Sequence, residues 1–232
     1  MRVSIIILLL WFGAGFAPAA DTRTILVLGD SLSAGYGIDR ESGWVALLQH
    51  KLDREEQPYH IVNASISGDT TRGGLQRLPK ALQQWSPAIV IIELGGNDGL
   101  RGLSLESMRG NLDEMIRISR EAGAEVLLVG IKLPANYGTA YGERFHEIYS
   151  VLARRHDIPL LPFLLDSVAG HRELMQADGI HPLAAGQARI MDNVYHYLQP
   201  LLQGTSEQTV HSPGSGQSQP RDFPSGNAAA RP

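Results

Sequence analysis

A serine that follows a strand and a histidine far downstream could carry out chemistry together in this chain. The apolar run 25–28 is typical of a buried strand, and it ends in Gly29-Asp30-Ser31. A hydroxyl is a weak nucleophile unless a base removes its proton. His181 could supply that base, and Asp178, placed just before it in the segment Asp-Gly-Ile-His-Pro, could accept from the other ring nitrogen. We therefore expect acyl transfer to a nucleophilic serine, with Ser31, His181 and Asp178 as the catalytic residues.

Two further blocks supply candidate donors for the oxyanion of a tetrahedral intermediate. Gly68 follows the second predicted strand, and Asn97 follows the third. Because the carboxyl ends of neighbouring parallel strands lie at one edge of a sheet, both should lie close to Ser31. A glycine at position 68 would let the backbone approach a substrate closely. The expected donors are the backbone N–H groups of Ser31 and Gly68 and the side-chain amide of Asn97.

Strands and helices alternate along the chain after residue 21, and this order predicts the fold. Strands are expected at 24–29, 59–63, 88–94, 125–131 and 158–161, with helices between them and after the last. Ser42 is expected to cap the first long helix. Repeated β-α units require right-handed crossovers and a parallel sheet covered on both faces. We therefore expect an α/β fold with three α/β/α layers and a flavodoxin-like sheet of about five strands in the order 2-1-3-4-5.

Composition divides the chain into three parts. Residues 1–20 combine Arg2, an apolar run over 4–12 and the small residues Ala17-Pro18-Ala19, which is typical of a cleaved signal peptide. An uncleaved anchor is the alternative, but the run is shorter than the roughly 20 residues of a membrane span. Residues 21–203 form one predicted domain. Residues 204–232 are rich in Ser, Gly, Gln, Pro and Ala, which predicts a disordered low-complexity tail.

Charge and residue usage exclude several classes of partner. The chain has 20 Lys and Arg against 24 Asp and Glu, without the clustered basic residues of a nucleic-acid-binding protein. Cysteine is absent, so an exported product would hold its fold without disulfides or a lipid-modified cysteine. The histidines other than His181 lack the paired spacing of metal ligands, so we expect neither a metal nor another cofactor.

Several polar residues near these blocks have simpler structural interpretations. Asp30, Asp69 and Asp98 are expected to cap helices or turns rather than to take part in chemistry. Glu93 lies within a strongly apolar strand, so we expect a structural hydrogen-bond partner for it. The segment from Leu133 to Gly138 follows the fourth strand, and it could either form a loop or line a groove for an acyl chain.

The blocks around the candidate residues resemble a known family. Gly29-Asp30-Ser31-Leu32-Ser33 lacks the second glycine of the Gly-x-Ser-x-Gly elbow, which argues against an α/β-hydrolase proper. The set Ser31, Gly68, Asn97 and His181 instead resembles the SGNH (GDSL-type) hydrolase family, which is named for these four residue types. The resemblance covers residues 21–202 and is greatest toward bacterial periplasmic members that act as acyl-CoA thioesterases, lysophospholipases and arylesterases.

This resemblance implies an exported serine esterase and thioesterase in the periplasm, or secreted as the alternative. Its expected substrates are small acyl esters, thioesters and lysophospholipids, and we expect a monomer that does not remain inserted in the membrane once the signal is removed. A carbohydrate acetyl esterase is the nearest alternative, and a preference for acetylated sugars would favour it. A non-catalytic flavodoxin-like binding module is the other, and it would leave Ser31 unmodified by a fluorophosphonate.

Overall fold

The fold is described from a computed structural model, which covers the backbone of residues 22–207 and the side chains of residues 22–203. The expected signal peptide lies outside the described residues, as does the chain after residue 207. Strands and helices alternate as predicted, in the order β1 Arg23–Gly29, α1 Ser31–Ala34, α2 Trp44–Arg54, β2 Tyr59–Asn63, α3 Thr71–Trp85, β3 Ile89–Glu93, α4 Gly96–Leu100, α5 Leu105–Glu121, β4 Glu125–Val129, α6 Thr139–His156, β5 Leu160–Leu161 and α7 Ala184–Glu207.

The five strands form one parallel sheet in the order β2-β1-β3-β4-β5, which confirms the predicted topology. Side chains alternate between the two faces of a strand, so β1 contributes Ile25 and Val27 to one apolar cluster and Leu26 and Leu28 to the other. Helices α2 and α7 cover the first face, and α3, α5 and α6 cover the second. Burial on both faces explains why these strands are almost wholly apolar.

Two helix boundaries differ from the sequence-based expectation. Ser42 does not cap α2, because residues Arg40–Ser42 form a short 3-10 helix that Asp39 caps instead. The first N–H group of α2, that of Trp44, donates to Gln187 of α7. Helix α7 extends to Glu207, which is beyond the expected start of the tail at Gly204, because adding residues to an existing helix costs little.

Every candidate site residue lies in a loop or helix start at the carboxyl edge of the sheet. Helix α1 begins directly after β1, the segment with Gly68 connects β2 to α3, and α4 follows β3. Asp178 and His181 lie in the connection between β5 and α7. Within the described part of the chain, no helix is both long and apolar enough to cross a membrane.

Candidate active site

The structure brings Ser31, His181 and Asp178 into one chain of hydrogen bonds. The Ser31 Oγ atom lies 2.9 Å from His181 Nε2. The Nδ1 atom of the same ring lies 2.7 Å from Asp178 Oδ2. A carboxylate at Nδ1 favours the tautomer with its proton on that nitrogen, which leaves the Nε2 lone pair free to accept from the serine hydroxyl. Two side chains separated by 150 positions are thus arranged as a nucleophile and a base.

A tight turn holds Asp178 and His181 in this arrangement. Gly179 has a φ of +69°, in the left-handed region that favours glycine. This conformation lets Asp178 Oδ1 accept from the backbone N–H groups of Ile180 at 2.9 Å and His181 at 3.0 Å. Burial acts to raise the pKa of Asp178, but the hydrogen bonds from His181 and Ile180 outweigh it and lower the pKa to about 2. Asp178 is therefore ionised throughout the neutral range.

Asp30 fixes the start of α1, where Ser31 is the first residue. Its Oδ1 atom accepts from the backbone N–H of Leu32 at 3.0 Å, so Asp30 is an N-cap, as expected. The close packing here favours glycine at position 29, since a Cβ atom there would lie 2.7 Å from Glu93 Oε2 and 2.8 Å from Ser33 Cβ. The other carboxylate oxygen of Asp30 accepts from Asn97 Nδ2 at 3.0 Å, a contact that the sequence did not predict.

The two other oxyanion-hole candidates, Gly68 and Asn97, are linked by Arg101. The guanidinium of Arg101 donates to the Gly68 carbonyl at 2.8 Å and to Asn97 Oδ1 at 3.4 Å. Gly68 has a φ of +80°, which favours glycine at this position. The Asn97 amide is oriented from both ends, because Oδ1 faces Arg101 and Nδ2 faces Asp30. One Nδ2–H donates to Asp30, and the second has no acceptor among residues 22–203, so it could donate to a substrate oxygen.

A buried carboxyl pair lies beneath this edge of the sheet. Glu93 is fully buried, and its Oε2 accepts from Ser33 Oγ at 2.7 Å and from the Asp30 N–H at 3.3 Å. Within the described residues, its Oε1 has no partner, so the expected structural role is only partly satisfied. Burial and the neighbouring Asp30 raise the pKa of Glu93 well above its usual range. Burial also raises the pKa of Asp30 from 3.8 to about 6, against the hydrogen bonds from Leu32 and Asn97. Burial and the repulsion between the two carboxyl groups therefore disfavour two negative charges in this pair.

The remaining acidic candidates have structural roles, as the sequence suggested. Asp98 is buried and accepts from both the backbone N–H and the hydroxyl of Thr71, at 2.9 and 2.7 Å, so it fixes the start of α3. Asp69 accepts from the N–H of Thr70 and forms an ion pair with Arg77. Across residues 22–203, no group of three or more His, Asp or Glu side chains could hold a metal ion.

A largely apolar cavity of about 270 Å³ opens beside Ser31 and His181. Leu133 and Pro134 line it, which favours the second of the two interpretations of that segment. Its wall is otherwise formed mainly by apolar side chains from α1, α4 and the connections that follow β4 and β5, namely Leu32, Leu100, Ile131, Phe163, Leu165, Ala169, Met175 and Ile180. A cavity of this kind can hold a hydrocarbon chain while a carbonyl group lies at Ser31.

Tyr36 and Gln176 also contact the site, although the sequence did not single them out. The Tyr36 ring packs against the His181 ring with centroids 4.5 Å apart. Gln176 Nε2 donates to the carbonyls of both Tyr36 and Pro182, at 2.8 and 3.2 Å. The position of Tyr36, five residues after Ser31, could have suggested a place near the site. No pattern in the sequence could have indicated Gln176, because its contacts depend on the path of the connection between β5 and α7.

Comparisons with known proteins agree with this geometry. The GDSL-like Lipase/Acylhydrolase family matches residues 27–189. The chain is 52% identical over 183 residues to Esterase TesA of Pseudomonas aeruginosa, covering 79% of this chain and 91% of that protein. It is 48% identical over 186 residues to Thioesterase 1/protease 1/lysophospholipase L1 of Escherichia coli K12, covering 80% of this chain and 87% of that protein.

A similarity to solved structures accompanies the similarity in sequence. A crystal structure of TesA superposes on this chain with a TM-score of 0.76 at 52% identity, covering 77% of this chain and 99% of the other. The fold, the family match and relatives with high identity over most of their length all agree. The chain therefore belongs to the GDSL-like lipase/acylhydrolase family and is an ester hydrolase.

Proposed function

We propose that this enzyme cleaves esters and thioesters of acyl chains through a covalent acyl-enzyme on Ser31. The observation that carries the proposal is the hydrogen-bonded series from Ser31 Oγ through His181 to Asp178, which faces an apolar cavity. In this proposal Ser31 is the nucleophile, His181 the general base and acid, and Asp178 the group that orients the imidazole.

The reaction would proceed in two halves. Ser31 Oγ forms a bond to the acyl carbon while His181 Nε2 takes the hydroxyl proton, and the carbonyl oxygen becomes an oxyanion. The backbone N–H groups of Ser31 and Gly68 and the free Nδ2–H of Asn97 would donate to it. As the bond to the leaving group breaks, Nε2 returns the proton to the departing oxygen or sulfur. Water then attacks the acyl-enzyme with the same base and releases the fatty acid.

The cavity supports acyl esters with a hydrocarbon tail as the substrate class. Its wall is mostly apolar, so burial of each methylene would favour binding by about 0.8 kcal/mol. The relatives are named as an esterase and as a thioesterase, protease and lysophospholipase, which supports the same class. Peptide bonds are poorer candidates, because an amine is a worse leaving group than an alcohol or thiol.

The leader sequence favours lysophospholipids and other single-chain esters over acyl-CoA as the physiological substrate. Its charged start, apolar run and small residues support export to the periplasm. Acyl-CoA is a cytosolic metabolite, so thioester cleavage by the purified protein would not be its main activity in the cell. All the proposed site residues come from one chain, so the proposed reaction needs no residue of a second subunit, and we propose that the enzyme acts as a monomer.

A direct comparison of substrates tests this function. The purified enzyme is offered a lysophospholipid, acyl-CoA thioesters of several chain lengths, an aryl acetate and an acetylated sugar. We expect turnover of the acyl esters and thioesters, with kcat/KM rising with chain length until the cavity is filled. The variant Ser31→Ala controls for contaminating hydrolases. A strong preference for the acetylated sugar would instead favour the carbohydrate esterase, and turnover by Ser31→Ala equal to that of the wild type would refute the proposal.

A further inference from the structure

We propose that Tyr36 is a platform for the leaving group of the substrate, and that it favours esters of flat, aromatic alcohols. This inference rests on the proposed function, because it assigns a place to the half of the ester that the acyl cavity does not hold. It makes Tyr36 a residue that determines specificity in the acylation step.

The position of the Tyr36 ring carries the inference. The ring lies 4.5 Å from the His181 ring at an interplanar angle of 41°. Tyr36 is 53% exposed, whereas the side chain of His181 is only 16% exposed. A large aromatic surface is therefore presented to solvent directly beside the imidazole that must protonate the leaving group.

The expected orientation of a bound ester places its alcohol half on the side of Tyr36. The leaving oxygen has to come within about 2.6–3.2 Å of His181 Nε2 to receive its proton. The acyl chain would extend into the apolar cavity, and Tyr36 is not among the residues that line it. The alcohol half of the ester must therefore leave the reacting carbon in a direction away from the cavity. Tyr36 offers an apolar surface outside it, next to the same imidazole.

The backbone of Tyr36 is held at two points and its ring packs against His181, so the ring has a defined position before substrate binds. Its N–H donates to the Ser31 carbonyl at 3.1 Å. Its own carbonyl accepts from Gln176 Nε2, which also donates to the carbonyl of Pro182. One amide therefore links the Tyr36 segment to the segment of His181. Such preorganisation reduces the entropy lost when a substrate group binds.

The chemical step is the ordinary acylation. The Ser31 Oγ–carbon bond forms, the bond from that carbon to the alcohol oxygen breaks with its electron pair on oxygen, and the serine proton reaches this oxygen through Nε2. An aromatic ring on the alcohol can stack on Tyr36 or meet it edge to face, whereas a saturated ring of the same size gains only contact area. The expected advantage of the aromatic alcohol is about threefold to tenfold in kcat/KM.

Two esters of the same acid test this directly. A benzyl ester and a cyclohexylmethyl ester have leaving groups of similar size, and they give the same acyl-enzyme. We expect Tyr36→Leu to lower kcat/KM for the benzyl ester about threefold to tenfold more than for the cyclohexylmethyl ester. Tyr36→Phe should keep the wild-type ratio. Trp85→Leu, which removes another exposed aromatic side chain at the far end of α3, should also leave the ratio unchanged.

The deacylation rate separates this role from a merely structural one. Because water replaces the alcohol in that step, Tyr36→Leu should leave the rate of acyl-enzyme breakdown unaltered. Equal losses for both esters together with slower deacylation would overturn the inference, because Tyr36 would then act only by positioning His181.

Product inhibition of the wild type gives a test that needs no variant, since benzyl alcohol should inhibit more strongly than cyclohexylmethanol. Failure of the wild type to turn over either ester would instead refute the proposed function.

Discussion

Replacing Asp30 by asparagine should reduce activity strongly without reducing the stability of the fold at neutral pH. Asparagine caps helices about as well as aspartate, so its Oδ1 can still accept from the Leu32 N–H. Its Nδ2 would then occupy the position of the carboxylate oxygen that now accepts from Asn97. Two donors would face each other across about 3.0 Å. A turn of the Asn97 amide relieves this contact, whereas a turn of the new amide at position 30 would break its hydrogen bond with the Leu32 N–H.

The expected loss of activity follows from that rotation. A turned amide directs its Oδ1 away from Arg101 and no longer presents an N–H to the oxyanion. The loss of one such donor costs about 2.7–4 kcal/mol of transition-state stabilisation, or on the order of 10²–10³ in kcat. The assay is hydrolysis of a chromogenic aryl ester above pH 7, where Asp30 is ionised in the wild type. The fraction of folded protein is measured in parallel by thermal unfolding.

The stability of the same variant should depend on pH in a defined direction. Burial raises the pKa of Asp30 from 3.8 to about 6. The folded protein therefore binds more protons than the unfolded chain between these values, so the contribution of Asp30 to stability is lost as pH rises through this window. Relative to the wild type, the free energy of unfolding of Asp30→Asn should therefore rise between pH 4 and pH 7.

Asp98→Asn is the matched control, because Asp98 is also buried and directly follows Asn97 in the chain. Its carboxylate contacts Thr71 and makes no hydrogen bond to Asn97. The Thr71 hydroxyl already accepts from Asn111 at 3.0 Å, and its second lone pair can accept from an amide at position 98. We expect its kcat/KM to stay within about threefold of the wild type. The reasoning would be refuted if folded Asp30→Asn retained nearly full activity, or if both variants lost activity equally.

Three further predictions concern the other parts of the site. Asp178→Asn should lower kcat by up to about 10⁴-fold, measured on the same ester, because the asparagine no longer favours the required tautomer of His181. The pKa of Asp178 is lowered to about 2, so its contribution to stability is present above pH 4 and is lost as pH falls toward 2. Unfolding curves of wild type and Asp178→Asn should therefore converge in acid, and a constant difference would contradict this. Ala169→Phe should narrow the cavity and reduce kcat/KM for long acyl chains but not for acetate esters, and a uniform loss would argue against the cavity as the acyl site.

Local patterns in the sequence predicted the sheet and the position of the candidate residues at one edge of it. The apolar strands are each buried on both faces, and this environment leaves a strong signal in a single segment. Because all five strands are parallel, the residues that follow them had to come together at the carboxyl edge. The turn from Asp178 to His181 was equally local, since an aspartate in this position can accept from the backbone N–H groups two and three residues after it.

Contacts between distant segments could not be predicted in this way. The hydrogen bond from Asn97 to Asp30 depends on the register of β1 and β3, and that register also places Glu93 beside Gly29. Asp30 was explained as a helix cap and Asn97 as an oxyanion-hole donor, so no pattern in the sequence indicated a contact between them. The end of α7 at Glu207 could not be predicted for a related reason, because composition does not show how far a helix continues.

The most direct test of the central claim is the site at which a fluorophosphonate reacts. The probe is added to the full-length wild-type protein, and the modified residue is located by peptide mass spectrometry. We expect one equivalent of probe on Ser31, complete loss of ester hydrolysis, and no labelling of Ser31→Ala or of folded enzyme saturated with a slowly hydrolysed ester. A modified residue other than Ser31, or full activity in protein labelled at Ser31, would contradict the assignment of this serine as the nucleophile.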